Sequence, residues 1–579
     1  MSEIAVRIGG EAGDGIASVG ESIARSFSRM GLHVFGFNAY QSVIRGGHVW
    51  YQARASPEHA HSQGDGADIV YALHRETVGI HAAGVRAGGT VIYDPEKFQV
   101  EPTDLPAGVT ALGVPTLAIA RKYTSQSILQ NAAGTGAAAF LAGIPLDLFQ
   151  EVLRDSFGGK KGEVVDWNLG AAAEGYHFAE QHASVHPHAP SQQGAPKLLM
   201  SGNEAIALGA AAAGCKFLSQ YPMTPASSIM HWMAAHSPQI GVVVKQAEDE
   251  LAAINMAIGA SFAGVRAMTA TSGGGFSLMV EALGMAGMTE TPLVVVDAQR
   301  AGPSTGLPTK TEQGDLNLIL GAGQGDFPRA ILAPATPLEA YRAMIDAFRL
   351  AEDWQTPVIV ASDLHLSESF QTVDRSDVDL NVAIPSLFPV APNGHSYLRY
   401  QHTDSGVSPR AVPGQPGLQF VAGSDEHDER GHLVSDIVAG IPKWVSERQR
   451  MMEKRMKKLG GIARDAPPPV FEGPAGAPLT FVAWGSVVGA VRDAIVDLAD
   501  GGKATNLLRF PTVYPLDAAA VTAAFGKTKR TLLVEQNFSG QFGRLLRAET
   551  GLVPTARFLK YDGEPFMPHE IVAKALEVI

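Results

Sequence analysis

The feature that most constrains the fold is a repeated alternation of short apolar runs with alanine-rich helical stretches. Across residues 1–183 the apolar runs are Ile4 to Ile8, Ile69 to Tyr71 and Thr90 to Tyr93. This alternation is typical of an α/β domain with a mostly parallel sheet. The pattern therefore predicts an N-terminal α/β domain, and it recurs twice further along the chain.

Two further α/β domains are predicted, over residues 197–380 and 476–579. A linker rich in proline and polar residues, 184–196, precedes the second domain, and a long connecting segment, 381–475, precedes the third. The strand candidates in these two domains are Gly241 to Lys245, Val265 to Ala270, Pro292 to Asp297, Pro357 to Ser362, Leu479 to Trp484 and Arg530 to Val534. The predicted fold class is therefore α/β, with three α/β domains.

Composition and charge exclude several classes of function. A net charge of -13 argues against a protein that binds nucleic acid or a membrane surface, because both need a basic footprint. The N-terminus is predicted to be a first strand and not a signal peptide, and no apolar run reaches the roughly 18 residues of a membrane span. We expect a cytoplasmic protein with neither nucleic-acid nor membrane partners. Cys215 is the single cysteine, so this chain alone cannot hold an iron-sulfur cluster through four thiolates.

Three segments carry side chains that suit a binding site. In Tyr221-Pro-Met-Thr-Pro-Ala-Ser-Ser228, Thr224 is a candidate N-cap and Pro225 a first helical residue, and the free N–H groups of such a helix bind anions. Glu248-Asp-Glu250 begins a helix predicted to reach about Ala263. For each of these two segments the residues alone also allow a purely structural reading: a capped helix, or acids that complement a helix dipole.

The third segment follows the strand candidate that ends at Asp297. Open α/β sheets place ligands at the carboxyl ends of their strands. Arg300 in this loop could bind a carboxylate through two N–H groups, and Thr309 could add a hydroxyl donor. A surface arginine in a loop rich in glycine and proline is the alternative interpretation.

Together these segments resemble the α subunit of 2-oxoacid:ferredoxin oxidoreductases, whose Tyr-Pro-Ile-Thr-Pro motif is matched here with Met223 in the Ile place. Gly274 stands where the family commonly has proline. Residues 1–183 look like the γ domain of that family fused ahead of the α part. The γ-domain likeness is carried by Gly9 to Ile16 and Ser42 to Gly47. The segments that match the 2-oxoglutarate type of the family are Met268 to Gly273, Tyr400 to Gly414 with its core Gly406 to Gly414, Ser424 to Glu429 and Glu535 to Gln541.

The resemblance implies a domain that is like a thiamine-diphosphate pyrimidine-binding domain at 197–380, and a transketolase C-terminal-like domain at 476–579. It implies that Glu248 is the catalytic carboxylate bonded to N1′ of the aminopyrimidine, with Glu250 ranked second. Among the remaining site residues, it implies that the substrate carboxylate is bound by Thr224, Arg300 and Thr309, that the cofactor is contacted by Tyr221, Pro222 and Ser272, and that this chain holds no metal.

The implied reaction is oxidative decarboxylation of a 2-oxoacid, with coenzyme A taking the acyl group and ferredoxin the electrons. The best candidate is 2-oxoglutarate to succinyl-CoA, a reaction that a reductive TCA cycle would run in reverse as reductive carboxylation; pyruvate or a branched 2-oxoacid is the alternative. The implied partner is a β subunit that carries the diphosphate site with Mg²⁺ and a [4Fe-4S] cluster, in an (αβ)₂ heterotetramer.

Two rival functions are weaker. A self-sufficient thiamine-dependent decarboxylase would need its own diphosphate motif, and Gly13-Asp-Gly15 with Asn38 lacks the usual second asparagine. Gly9 to Gly15 is better interpreted as the turn between the first strand and the first helix. An inactive scaffold is disfavoured because the candidate site residues are retained. The charged run Asp425 to His432 contains metal-capable side chains, but we expect it to be solvated or salt-bridged.

Overall fold

The structure is a computed structural model that describes residues 3–41, 46–159, 162–384 and 397–579. Residues 42–45, most of the segment Ser42 to Gly47, lie outside the described residues. Within the described ranges the chain forms twenty strands and twenty α-helices, and none of these helices is long and apolar enough to cross a membrane.

The strands are β1 (Ile4–Glu11), β2 (His33–Ala39), β3 (His48–Ser56), β4 (Ala67–Ala72), β5 (Val85–Tyr93), β6 (Thr110–Gly113), β7 (Leu198–Ser201), β8 (Phe217–Gln220), β9 (Val243–Gln246), β10 (Ala267–Thr271), β11 (Leu293–Gln299), β12 (Ala330–Leu332), β13 (Pro357–Asp363), β14 (Phe370–Val373), β15 (Val470–Glu472), β16 (Leu479–Ala483), β17 (Thr505–Arg509), β18 (Thr512–Tyr514), β19 (Arg530–Glu535) and β20 (Ala556–Leu559).

The helices are α1 (Ile16–Arg29), α2 (Arg75–His81), α3 (Thr116–Arg121), α4 (Gln130–Leu141), α5 (Leu146–Phe157), α6 (Gly162–His182), α7 (Gly202–Ala212), α8 (Ser227–Ala235), α9 (Ser237–Ile240), α10 (Glu250–Phe262), α11 (Gly273–Met288), α12 (Leu316–Leu320), α13 (Pro337–Trp354), α14 (Leu364–Glu368), α15 (Asp436–Ala439), α16 (Lys443–Asp465), α17 (Val487–Asp500), α18 (Ala518–Phe525), α19 (Gln541–Thr550) and α20 (Pro568–Val578).

The described residues divide into two compact units. The first unit comprises Met1–Ser201, Glu368–Val378 and Met567–His569, and its eight-stranded sheet has the order β6-β5-β4-β1-β3-β2-β14-β7. The prediction of a mostly parallel sheet is wrong here, since β3 pairs antiparallel with both β1 and β2. Only eight residues, 40–47, connect β2 to β3, and a parallel crossover needs a dozen or more. The turn predicted at Gly9 to Gly15 is confirmed, because β1 ends at Glu11 and α1 begins at Ile16.

The second unit comprises Gly202–Ser367, Asp379–Phe566 and Glu570–Ile579, and it contains two sheets. The larger sheet has the order β18-β12-β13-β11-β10-β8-β9 and is parallel except for the edge pair β12 and β18. The smaller sheet has the order β15-β17-β16-β19-β20. One apolar core joins the two sheets, with Val295 and Ile359 of the larger packed in the same cluster as Val482 and Leu533 of the smaller.

The central strands of the larger sheet are buried along their whole length, as their continuous apolar sequences predict. The six strand candidates of the second and third predicted domains all form, with ends that move by one or two residues. Three sheets in an α/β arrangement confirm the predicted fold class. The parallel strands of the larger sheet direct their carboxyl ends to one edge, where the candidate site lies.

Candidate functional site

A cavity of about 690 Å³ lies at the carboxyl edge of the larger sheet, within the second unit. Its walls come from loops that follow β8, β10 and β11, and from the loop between β19 and α19. Its lining residues include Met223, Ser272, Gly274 and Arg300, all of which lie in segments selected from the sequence. Ligands of open parallel sheets bind at this edge, so this cavity is the candidate active site.

Arg300 and Thr224 meet at the mouth of this cavity. Nη1 of Arg300 donates to the carbonyl oxygen of Thr224 at 2.8 Å. The predicted N-cap role of Thr224 is wrong, because α8 begins only at Ser227. Asn203 donates to the carbonyl of Pro225 at 2.7 Å and holds the segment outside the helix, and a residue before proline disfavours helical dihedrals.

The remaining predicted binding residues occupy less central positions. Thr309 lies in a turn after an antiparallel bridge between Ala301 and Leu307, and its side chain is half-buried. Tyr221 and Pro222 precede Met223 on the loop after β8, with Tyr221 37% exposed. Among the described residues, none of Thr309, Tyr221 and Pro222 lines the cavity.

The first turn of α11 forms one wall of the cavity. Ser272 is the N-cap of this helix, yet its side chain makes no capping hydrogen bond, and its buried hydroxyl has no partner in the described ranges. Its hydroxyl lies on the same cavity wall as Arg300, whereas the N–H of Gly273, the first residue of α11, already donates to the Asp315 carboxylate. A hydroxyl donor beside a guanidinium favours an anion, and a carboxylate is one that fits it.

The acidic segment before α10 separates into three different environments. Asp249 caps the helix by accepting the Ala252 N–H at 2.7 Å. Glu248 precedes the cap and is exposed, whereas Glu250 is 3% exposed. Oε1 of Glu250 has no hydrogen-bond partner in the part of the chain that the structure describes, and burial raises the pKa of this carboxyl group.

Glu250 packs against the first turn of α11, whose preceding residues line the cavity. A Cβ atom placed on Gly275 would lie 2.5 Å from Oε1 of Glu250 and 2.1 Å from the hydroxyl of Thr271, so glycine is required there. The burial of Glu250 could have been predicted from the helical spacing of the sequence. Glu250 begins the buried stripe of α10, with members three, four, seven and eight residues further on.

Three further carboxyl groups lie near one another: Asp315, which is also close to Arg300, and Asp297 and Glu312, which are both close to Asp315. The pKa of Asp315 is raised to about 6 by burial, against the opposing effect of Arg300. Burial, and then the charge of Asp315, raises the pKa of Glu312 to about 7. Asp297 is 0% exposed, and its pKa is raised well above the ordinary value by burial and by Asp315. This group of acids can hold protons at neutral pH, beside the only predicted substrate-binding cation.

The loop that carries Glu312 and Asp315 is fixed by side-chain amides. Gln313 accepts the Gln536 N–H at 3.0 Å and donates to the carbonyl of Trp484 at 2.8 Å. Gln541 donates to the carbonyl of Gly314 at 2.7 Å. The segment Glu535 to Gln541, selected from the sequence, thus positions the acidic loop of the cavity.

Comparison with known proteins decides the family. A model described as pyruvate flavodoxin/ferredoxin oxidoreductase, thiamine diP-bdg, matches residues 208–445 and so spans much of the cavity. A model of pyruvate ferredoxin/flavodoxin oxidoreductase matches residues 5–178, and the transketolase C-terminal domain matches 473–550. The alpha subunit of a 2-oxoacid:ferredoxin oxidoreductase from Sulfolobus sp is 32% identical, over 99% of this chain and 96% of the relative.

The chain belongs to the 2-oxoacid:ferredoxin oxidoreductase family, as an alpha subunit.

Two relatives of this alpha subunit carry 2-oxoglutarate in their names. The 2-oxoglutarate:ferredoxin oxidoreductase from Magnetococcus marinus, solved with 2-oxoglutarate, coenzyme A and succinyl-CoA bound, is 36% identical with a TM-score of 0.92, over 99% of each chain. The 2-oxoglutarate oxidoreductase subunit KorA of Mycobacterium tuberculosis is 29% identical over 99% of this chain and 91% of the relative. The family, the fold class and the enzyme class predicted from sequence are confirmed.

The family places the thiamine-binding region of this alpha subunit in the second unit and not in the glycine-rich loop of the first. Glu250 is buried, and one of its carboxyl oxygens has no hydrogen-bond partner among the described residues, a chemistry that fits a heterocycle nitrogen sharing a proton with a carboxyl group. The charged run at 425–432 is salt-bridged as expected: Glu426 accepts two N–H groups of Arg455, both at 2.9 Å.

Proposed function

We propose that the chain is the alpha subunit of an enzyme that converts 2-oxoglutarate and coenzyme A to succinyl-CoA, with ferredoxin as electron acceptor. The observation that carries this substrate is the likeness to the Magnetococcus marinus enzyme over 99% of both chains, whose structure holds these compounds. Either direction of the reaction is compatible with the same site. Pyruvate or a branched 2-oxoacid is the alternative substrate.

Arg300 is the proposed ligand of the substrate carboxylate. Its guanidinium is half-buried and is oriented by the Thr224 carbonyl, which leaves other N–H groups directed to the cavity. The Ser272 hydroxyl adds a donor on the adjacent wall. Thr309 remains a proposed ligand of lower rank, since it lies outside the cavity wall.

Glu250 is the proposed partner of the aminopyrimidine ring, in place of Glu248. Thiamine diphosphate, when bound, would supply the nucleophilic carbon for the keto group of the substrate. Glu250 would hold a proton at the ring nitrogen, because its buried carboxyl group has a raised pKa and an oxygen without a partner in the part of the chain that the structure describes. Glu248, by contrast, is exposed to solvent. Tyr221, Pro222 and Ser272 stay as proposed cofactor contacts on the neighbouring loops.

A second subunit is part of the proposal. Cys215 is the single cysteine of the chain, so we assign the [4Fe-4S] cluster, together with the diphosphate site and its Mg²⁺, to a β subunit. Exposed apolar side chains on the elements around the cavity offer a surface for it. These side chains are Tyr221, Val243, Leu251, Leu278, Leu307 and Phe538. The proposed assembly is an (αβ)₂ heterotetramer.

One experiment tests the substrate and the partner together. The chain is purified alone and with its β subunit, and both samples are assayed with 2-oxoglutarate, pyruvate and branched 2-oxoacids in the presence of coenzyme A and a one-electron acceptor. We expect activity only in the complex, highest with 2-oxoglutarate. Preference for another oxoacid would contradict the substrate, and activity of the single chain would contradict the two-subunit account.

A further inference from the structure

A group of three metal-capable side chains lies in the first unit, away from every residue used above. Asp68 belongs to β4, and His186 and His188 belong to the irregular segment after α6. One ligand atom from each of the three side chains lies within 4.8 Å of the others. Asp68 and His186 are buried, at 1% and 7% exposure, while His188 is exposed and leaves the group open to solvent.

Within the described residues, only one of the two carboxylate oxygens of Asp68 accepts hydrogen bonds. Its Oδ2 accepts the backbone N–H of Ala5 at 2.7 Å and Nη1 of Arg86 at 3.0 Å. Within residues 3–41, 46–159, 162–384 and 397–579, its buried Oδ1 has no hydrogen-bond partner. A buried carboxylate oxygen without a partner is uncommon and calls for a ligand or a shared proton.

His186 shows the same pattern. Its backbone N–H donates to the Leu141 carbonyl at 2.8 Å, and its own carbonyl accepts the Ala189 N–H at 2.9 Å, which fix the residue in place. Its Nδ1 accepts the His188 N–H at 3.3 Å, and its buried Nε2 makes no hydrogen bond of regular geometry among the described residues, although the ring lies near the Gly88 carbonyl. The two imidazole rings lie edge to face, 5.3 Å apart.

We propose that Asp68, His186 and His188 bind one divalent transition-metal ion of the zinc type. Two imidazole nitrogens and one carboxylate oxygen are ligands that zinc prefers, with water in the fourth position. Ligand atoms of a tetrahedral zinc ion lie about 3.4 Å from one another. The ligand atoms of Asp68, His186 and His188 therefore need to approach by no more than about 1.5 Å. The exposed His188 side chain can make that movement. The sequence analysis assigned no metal to this chain.

Two neighbouring contacts set the expected strength of this site. The Arg86 guanidinium orients the Asp68 carboxylate, but its positive charge opposes a cation. Metal binding through Nε2 of His186 also requires that Nδ1 carry the ring proton. Nδ1 then no longer accepts the hydrogen bond that the His188 N–H donates to it at 3.3 Å. We therefore expect a dissociation constant in the micromolar range, about 10–100-fold weaker than a site with favourable outer contacts. The ion would hold the segment after α6 against β4.

The test uses the full-length chain without an affinity tag, treated with a chelator and then titrated with zinc by calorimetry and with cobalt(II) by visible absorption. We expect one saturable site and d–d bands typical of nitrogen and oxygen ligands. His188→Ala changes an exposed residue and should weaken zinc binding at least tenfold. Asp68→Asn, a substitution of equal size, should weaken it similarly.

The matched control is the double substitution His177→Ala and His182→Ala, which removes two exposed histidines of α6 outside the group. It should leave zinc affinity unchanged. Hydrogen exchange supplies a second readout: zinc should slow exchange in residues 183–197 of the wild type but not of the His188→Ala chain. Absence of a saturable site, or equal affinity in the wild type and His188→Ala, would overturn the proposal.

Discussion

Buried carboxylates in the second unit differ in whether a cation is paired with them. Glu290, just after the end of α11, is 0% exposed and accepts N–H groups from Lys454 and from Lys458, the latter at 2.7 Å. Burial alone would raise the pKa of Glu290, but Lys458 and Lys454 hold it below the ordinary value. Around the cavity, by contrast, the buried Glu250 and Asp297 have no cation bound to them in the described part of the chain, and their pKa values are raised.

Paired buried carboxylates have a structural role, whereas unpaired ones are available for chemistry. A buried charge that is fully paired joins two elements, here α11 and α16, and it has no capacity left for a substrate. Buried carboxyl groups left without a cation carry a cost in stability, and perturbed pKa values of this kind cluster at functional sites. We therefore expect substitutions in the two groups to affect different measurements.

The largest effect is expected from Glu250→Gln. Loss of the proton-carrying carboxyl group should lower kcat by about 10²–10⁴-fold, the usual contribution of a general acid or base. The melting temperature should not fall, because the amide fills the same volume. Glu248→Gln is the control and should change kcat less than threefold in the assembled enzyme. Steady-state kinetics with both variants would contradict the assignment if Glu248→Gln were the more damaging.

Glu290→Ala should act on stability and not on the site. It leaves Lys454 and Lys458 buried without their anion, which costs about 3–5 kcal/mol in the free energy of unfolding. Chemical denaturation of the second unit provides the measurement. Glu577→Gln, which breaks an exposed pair with Lys574, should cost less than about 1 kcal/mol. Equal losses in the two variants would show that burial of the pair has no consequence.

Arg300→Ala should weaken use of the oxoacid by about 2–5 kcal/mol in kcat/KM, as for one partner of a buried charge pair. Affinity for thiamine diphosphate should be nearly unchanged. Arg300→Lys keeps the charge but loses the two-pronged geometry, so an intermediate loss is expected. A change in kcat/KM below tenfold, about 1.4 kcal/mol, would remove Arg300 from the substrate site.

The smallest effect concerns pH. The folded-state pKa of Glu312, raised to about 7, exceeds its unfolded value, so ionised Glu312 lowers stability above pH 7 and this penalty disappears as the pH falls toward 4.5. Glu312→Gln should therefore raise the melting temperature at pH 8 by about 1–3 °C and have no effect near pH 4.5. A stabilisation independent of pH would mean that charge is not its cause.

The fold and the site were not equally predictable. The run from Leu293 to Val296 is buried on both faces of its sheet, so continuous hydrophobicity was enough to locate this central strand. Motif resemblance identified the loops that contain Thr224 and Arg300. Both loops follow parallel strands of one sheet, so they lie at the same edge. The burial of Glu250 and the exposure of Glu248, on which our proposal depends, were not accessible in the same way, since they depend on where the Asp249 cap starts the helix.

Long-range contacts were also beyond the sequence. The acids Asp297 and Asp315 are separated by a loop, and their raised pKa values arise from burial beneath elements distant in the chain. The lysines that pair with Glu290 come from α16, more than 160 residues away. Local patterns contain no information on such pairings, so the paired and the unpaired carboxylates look alike in the sequence.

Exchange of the thiazolium C2 proton of bound thiamine diphosphate tests the central claim most directly. The measurement compares the wild-type complex with the Glu250→Gln and Glu248→Gln complexes by quenched-flow deuterium incorporation. Our account predicts exchange slowed by at least about 100-fold in Glu250→Gln and unchanged in Glu248→Gln, as expected when one carboxyl group carries the proton. Normal exchange in the Glu250→Gln complex would contradict it.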